Sequence, residues 1–354
     1  MKSTTLPKSD FKKSWSTIKK TFRPQPIKVS QQELIQVSSL TNEEISPLVI
    51  KPNLAQLDLS VWAKNNRDWI ESKLLKHGGI LFRDFKSETR EHFEKFVSSV
   101  SSELMLYVEG ATPRTRLTDK VYTSTEFPAE QSIALHNELS YTTNWPMKIW
   151  FFCLNPASER GETPIADMRK VFQRIDVKIR ERFQQKGWML VRNFGDGFGL
   201  PWQNVFHTDS KAVVEEYCRQ SKIEFEWKDN NRLRTRQVRP AIARHPKTSA
   251  MLWFNHMVFW HISSLEPQLR QMLLTEFKPE ELPYNTYYGD GSEIETSIVE
   301  EIRAAYQQET IVFPWHQGDI LMLDNMLMAH GRNPFTGPRK ILTSMGEPFA
   351  RTNI

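Results

Sequence analysis

Helical spacing of apolar residues dominates the first hundred positions of the chain, and short apolar runs of strand character dominate its last third. Phe11, Trp15, Ile18 and Phe22 recur at helical spacing with Lys12, Lys13, Lys19 and Lys20 between them, which predicts a short basic amphipathic helix that "RPQP" then breaks. Residues 38–52 read as a connector. A helix is predicted over residues 60–76, ended by Gly78 and Gly79, with a strand over residues 80–85 and a second helix over residues 90–100. Residues 110–127 are polar and threonine-rich and read as a loop. "MKIWFFCLN" (residues 147–155) is a strand pattern, "SERGETPIAD" turns, and a helix follows over residues 169–186. Residues 188–194 read as a strand, 215–220 as a helix, 239–254 as two short strands around "HPKTS", and 266–277 as a helix. Strands over residues 310–314, 319–324 and 340–345 close the chain. With no internal repeat and no regular β-α alternation, the pattern favours an all-β or α+β core, in a sandwich, barrel or jelly roll.

A chain of 354 residues is long enough to bury a large core. Two cysteines, Cys153 and Cys218, are too few for a disulfide scaffold or a cysteine-rich zinc site. Any metal must therefore be held by histidines and carboxylates. Net charge is +5, but residues 1–30 carry eight Lys/Arg against one Asp, so the rest of the chain is slightly acidic. No basic face spreads over the fold, which argues against nucleic acid as a partner. No apolar run is long enough to span a membrane, and no secretory segment is visible, so a cytoplasmic protein is expected. The basic segment 1–30 packs on the body of the fold or docks on an acidic partner.

In "IALHNELSYTTNWP", His136 and Glu138 stand two residues apart. On an extended strand they would point the same way and reach one ion, with Asn137 facing the other side. His330, after the apolar strand 320–323 and before Gly331, is the best supplier of a third ligand. Two histidines and one carboxylate make the facial triad of non-haem Fe(II) oxygenases, with three positions left open. H-x-E alone is weak among nine histidines and 42 acidic residues, and either histidine is equally at home as a buried structural residue.

"HNELSYTTNWPMKIWFFCLNPASERGETPIAD" and "DNMLMAHGRNPFTGPRK" resemble the TauD/TfdA family of Fe(II)/2-oxoglutarate-dependent dioxygenases. "HGGILFRDF" and "HPKTSAMLWFNHMVFWH" are similar to its SyrP-like branch, which is associated with nonribosomal peptide and antibiotic biosynthesis. The resemblance runs from residue 80 to the C-terminus. It implies a mainly β fold with flanking helices, a double-stranded β-helix or jelly roll, forming one dioxygenase domain over residues 31–354. It implies Fe(II), held by His136, Glu138 and His330, with 2-oxoglutarate and O2 as co-substrates. Arg339 is the implied clamp for the far carboxylate of 2-oxoglutarate, with Lys340 as the competitor should the register slip by one. Thr163 is implied as a second contact to that carboxylate, against a turn or helix-capping role. Asn144, Trp145, Asn255 and Arg332 are candidate substrate contacts, against packing roles for the first three and a solvated arginine for the last. Asp324 and Asn325 either shape the approach to His330 or end a strand. His256 departs from the glutamine common at that position in similar proteins. The implied reaction is hydroxylation of an amino acid, free or tethered to a carrier protein. The alternatives are desaturation or cyclisation by the same chemistry, or a non-enzymatic metabolite-binding protein.

Overall fold

In the computed structural model, the described residues are 33–351 apart from 102, 106–114, 116, 119, 120, 126, 196 and 198. The basic helix expected in residues 1–30, and most of the loop expected at 110–127, lie outside them. A seven-stranded sheet contains β1 (Ile35–Ser39), β2 (Leu48–Pro52), β3 (Gly79–Phe82), β4 (Tyr122–Thr123), β6 (Asn144–Asn155), β16 (Ile320–Asp324) and β19 (Lys340–Ala350). Its order is β1-β2-β3-β16-β6-β19-β4, antiparallel except between β2 and β3. A four-stranded sheet holds β5 (Ile133–His136), β8 (Ile165–Asp167), β15 (Thr310–Ile311) and β17 (Met328–Arg332) in the order β15-β8-β17-β5. A second four-stranded sheet, β10-β11-β9-β14, uses β9 (Trp188–Phe194), β10 (Glu224–Lys228), β11 (Arg232–Arg239) and β14 (Tyr284–Tyr288). Two two-stranded pairs complete the strands: β7 (Glu159–Arg160) with the distant β18 (Phe335–Thr336), and the hairpin of β12 (Ile242–Arg244) with β13 (Met251–Trp253).

The period-two pattern of the central strands explains why the large sheet is covered on both faces. In β6, Ile149, Phe151 and Cys153 enter the core shared with Ile165, Ala166, Met328 and Ala329 of the four-stranded sheet. Trp150 and Phe152 point the other way, into a core with Trp62, Ile70, Leu74, Phe93 and Phe96. Those last five come from the helices Leu59–Asn65, Arg67–His77 and Arg90–Val100. β16 splits identically, with Leu321 and Leu323 on one side and Ile320 and Met322 on the other. Two sheets face to face with helices outside is the expected jelly-roll architecture.

Several boundaries differ from the sequence reading. The helix expected at 60–76 is two helices, broken at Asn66 (φ −123°). Its end is as expected, with Gly78 in the left-handed region at φ +75°. The helix expected at 169–186 is also two, Met168–Arg174 and Val177–Lys186, the second capped by Asp176 accepting from Lys178 N–H. The connector at 38–52 contains β2 and the end of β1. β14 and the helix Thr296–Gln308 are additional elements.

Candidate metal centre

His136 is the last residue of β5 and sits directly opposite His330 of β17 in the antiparallel register. Their rings are 4.5 Å apart between centroids. His136 Nδ1 lies 2.8 Å from the Ala134 carbonyl, which can only accept, so Nδ1 carries the proton and Nε2 holds the lone pair. Glu138 does not continue the strand. The chain turns after His136, with Ser140 N–H donating to the Asn137 carbonyl, Thr142 N–H to the Leu139 carbonyl, and Leu139 at φ +54°. The expected extended-strand geometry therefore stops one ligand short, and Glu138 reaches the site from a turn. Its Oε2 is 3.6 Å from His330 Nε2, too long for a hydrogen bond.

One ligand atom from each of His136, Glu138 and His330 lies within 4.8 Å of the others, and all three residues are buried, at 9%, 3% and 4% exposure. His330 Nδ1 has no hydrogen-bond partner among the described residues. Two buried imidazoles and a carboxylate at this spacing fit one divalent cation with open positions on its far side.

A cleft with about 390 Å³ of empty space, part of it open to solvent, runs from the two imidazoles to Arg339 and Thr163. Ile133, Phe151 and Ile341 form its apolar walls. Arg339 Nε donates to the Gly161 carbonyl at 2.8 Å, and its guanidinium lies 5.4 Å from the Phe335 ring. Gly161 permits that approach: it has φ +72°, and a Cβ there would meet Ala157 and Phe335 at 2.9 Å and Arg339 Cδ at 3.1 Å. Burial, with Arg332 nearby, pulls the Arg339 guanidinium down to about 10, still a cation at neutral pH. Lys340 is exposed, and a register irregularity between Lys340 and Ile341 leaves the arginine alone of the two in the cleft. Thr163 is buried, and its Oγ1 accepts from Trp315 Nε1 at 3.1 Å. The capping role considered for Thr163 belongs to Asp167, which accepts from Arg169 N–H.

The other candidates have different surroundings. Arg332 lines the cleft but is buried rather than solvated, and both its terminal nitrogens already donate to backbone carbonyls. Nη1 donates to Phe127 O at 2.9 Å, and Nη2 to Pro128 O at 2.5 Å and Gln131 O at 2.7 Å. It therefore ties down the segment before β5. Trp145 is fully buried between Phe254 and Phe349, Asn144 is exposed at the start of β6, and neither lines the cleft. Asn255 donates to Ala241 O and accepts from Met257 N–H, which starts the helix Met257–Trp260.

Two residues beside the triad are not assigned to it by the sequence. His256 packs 5.3 Å from His136, with Nδ1 2.7 Å from Ser140 Oγ, and Phe259 lies 5.1 Å from His136. Burial, then the field of His136, holds the His256 imidazole well below its usual range, so it is neutral. His256 was visible in the sequence as a departure from the glutamine of similar proteins; Phe259 had no comparable signal.

A sequence model of the taurine catabolism dioxygenase TauD, TfdA family matches residues 41–345. The chain is 41% identical over 279 residues to the dapdiamide synthesis protein DdaC of Enterobacter agglomerans, covering 79% of this chain and 85% of DdaC. It is 28% identical over 321 residues to a clavaminate synthase-like protein of Arabidopsis thaliana, covering 84% and 93% of the two chains. Among solved structures it resembles PvcB, described as an Fe, α-ketoglutarate-dependent oxygenase from an isonitrile synthetic pathway. That match has a TM-score of 0.54 and 16% identity, over 91% of this chain and 96% of PvcB. With the family matched over most of its length, this chain belongs to the TauD/TfdA family of Fe(II)/2-oxoglutarate-dependent dioxygenases.

Proposed function

We propose that the chain hydroxylates a C–H bond of an amino acid or a carrier-tethered aminoacyl group. In this reading His136, Glu138 and His330 hold Fe(II), and Arg339 with Thr163 holds the far carboxylate of 2-oxoglutarate. One observation carries the site assignment: a single cleft has the two imidazoles at one end and a buried guanidinium with a hydroxyl at the other. The iron, once bound with its co-substrates, supplies the O2-activating chemistry. The chain supplies placement. Arg339 offers a planar fork to a carboxylate, stronger and more directional than an ammonium. Thr163 already accepts from Trp315, so its own O–H proton is available to donate to that carboxylate. Ile133, Phe151 and Ile341 wall the cleft with apolar surface, which strengthens both contacts. We place the substrate beside His256 and Phe259, whose rings pack against His136.

The relationship to a protein of dapdiamide synthesis supports a role in making a small molecule rather than degrading one. We place the reaction in the cytoplasm, whose reducing conditions keep iron ferrous; among the described residues no helix is long and apolar enough to cross a membrane. An acidic carrier protein meeting the basic segment 1–30 is the partner we propose for a tethered substrate.

The test is anaerobic addition of Fe(II) and 2-oxoglutarate, followed by visible absorption. A metal-to-ligand charge-transfer band is expected in the wild type. It should vanish in His136→Ala and demand at least tenfold more 2-oxoglutarate in Arg339→Ala, while Lys340→Ala behaves as wild type. A folded wild-type protein with no band, or a Lys340→Ala defect exceeding that of Arg339→Ala, would overturn the assignment. Product mass then decides the outcome: hydroxylation adds one oxygen atom, desaturation removes two hydrogens.

A further inference from the structure

Glu138 raises a problem of geometry. A ligand on a strand is aimed by the hydrogen-bond ladder on either side of it, but β5 ends at His136. The backbone N–H and C=O of Glu138 are therefore beyond the ladder, in a buried turn where unpaired polar groups are costly. Both are taken by one side chain. Asn325 Oδ1 accepts from Glu138 N–H at 2.7 Å, and Asn325 Nδ2 donates to Glu138 O at 2.9 Å. The second Nδ2 proton goes to Pro146 O at 2.8 Å. Only one orientation of the amide satisfies these contacts, because the N–H can only donate and the two carbonyls only accept. The grip is returned: Asn137 Nδ2 donates to the Asn325 carbonyl at 2.7 Å.

Asn325 is itself held firmly. Its N–H donates to Met147 O. The preceding Asp324 accepts through Oδ1 from Met326 N–H and Leu327 N–H, and its Oδ2 lies 3.1 Å from His245 Nε2. This short bridge runs directly into β17 and His330. Asn137 and Asn325 are both fully buried.

We propose that Asn325 is a positioning residue of the metal centre. Its carboxamide stands in for the missing neighbour strand beside Glu138 and fixes that carboxylate relative to His330. The inference rests on the metal-ligand reading above. Partners that orient metal ligands typically change metal affinity about 10–100-fold when removed.

The experiment is an anaerobic Fe(II) titration at saturating 2-oxoglutarate, read from the charge-transfer band, on the wild type, Asn325→Ser and Asn325→Leu. Thermal melts of the metal-free proteins run alongside. Leucine keeps the bulk and removes every side-chain contact; serine is smaller, keeps one polar group, and adds no charge. The expected order of Fe(II) dissociation constants is wild type, then Ser, then Leu, with Leu about 10–100-fold weaker and its band maximum displaced. A residue that only stabilises the fold would lower the melting temperature but leave the Fe(II) constant of the folded protein within about threefold of the wild type, and that result would overturn the proposal. Should Asn325→Leu fail to give a cooperative melt, Asn325→Ser decides by the same criterion. A wild type with no band defeats the reading of the site itself; a wild-type band with unmoved variants defeats only the role of Asn325.

Discussion

The Trp315 indole is a donor and nothing else, so its bond to Thr163 Oγ1 decides which way the threonine proton points. Trp315→Phe keeps an aromatic ring and releases that proton to rotate. Loss of one such bond corresponds to about 0.5–1.5 kcal/mol, so the KM for 2-oxoglutarate is expected to rise roughly two- to tenfold with little change in Fe(II) affinity; an unchanged KM would remove Trp315 from the cleft's chemistry. The residues legible in the sequence were those whose chemistry is written in spacing or family pattern: His136 and Glu138 two apart, His330 beside Gly331, Arg339 beyond the turn. Those that escaped act through contacts that no local pattern encodes. Trp315 reaches Thr163 across 152 positions, and although Asn325 was visible as a residue near His330, its grip on Glu138, 187 positions away, was not. Arg332 was visible as a cation but not as a clasp on three carbonyls, because a backbone partner leaves no mark on composition.

The helix Met257–Trp260 and the turn that follows form an element with its own acid sensitivity. His261 is buried, accepts from Ser263 N–H through Nδ1, and is pushed down to about 4 by burial and then by Arg303. Folded, it stays neutral to about pH 4; unfolded, it takes up its proton near 6.5. The unfolded chain thus binds more protons across that window, so this contribution is complete above pH 6.5 and lost as pH falls toward 4. His261→Asn keeps an acceptor for Ser263 but cannot titrate. Denaturant melts at pH 7 and pH 4.5 should show the wild type losing roughly 2–3 kcal/mol more than the variant; equal losses would refute the assignment. Elements with a two-sided apolar pattern, such as β6 and β16, were legible because both faces are buried. β1 was not, since it buries only Ile35 and leaves no alternation to read. The merged helices share a similar cause: the amphipathic pattern continues across Asn66 and across Ile175–Asp176, and only backbone geometry at those points breaks it. The helix Thr296–Gln308 buries Val299, Ile302, Ala305 and Tyr306, a spacing that was present in the sequence.

For the molecule as a whole, a buried metal centre joining two distant parts of the chain links ligand binding to global stability. Fe(II) or Mn(II) with 2-oxoglutarate at a hundred times the dissociation constant should add about 2.7 kcal/mol, raising Tm by roughly 3–5 °C. His136→Ala should abolish that rise, and a variant that still responds fully would place the metal elsewhere. The jelly-roll class was legible from strand content together with family pattern, whereas strand order was not, since pairing partners here are rarely neighbours in sequence. That order has a consequence for how the protein is made. β16 lies between β3 and β6, and β19 lies between β6 and β4, so the strands latest in chain order sit inside the principal sheet. Until they leave the ribosome, β3 and β6 present open edges with apolar residues on both faces, a surface prone to wrong pairing. The body of the fold cannot consolidate vectorially; it must wait for β16 and β19, then close around them. A fragment ending at residue 315 is accordingly expected to show no cooperative melt and to bind hydrophobic dyes, whereas a chain that includes β16 to β19 completes sheet and metal site in the same late event.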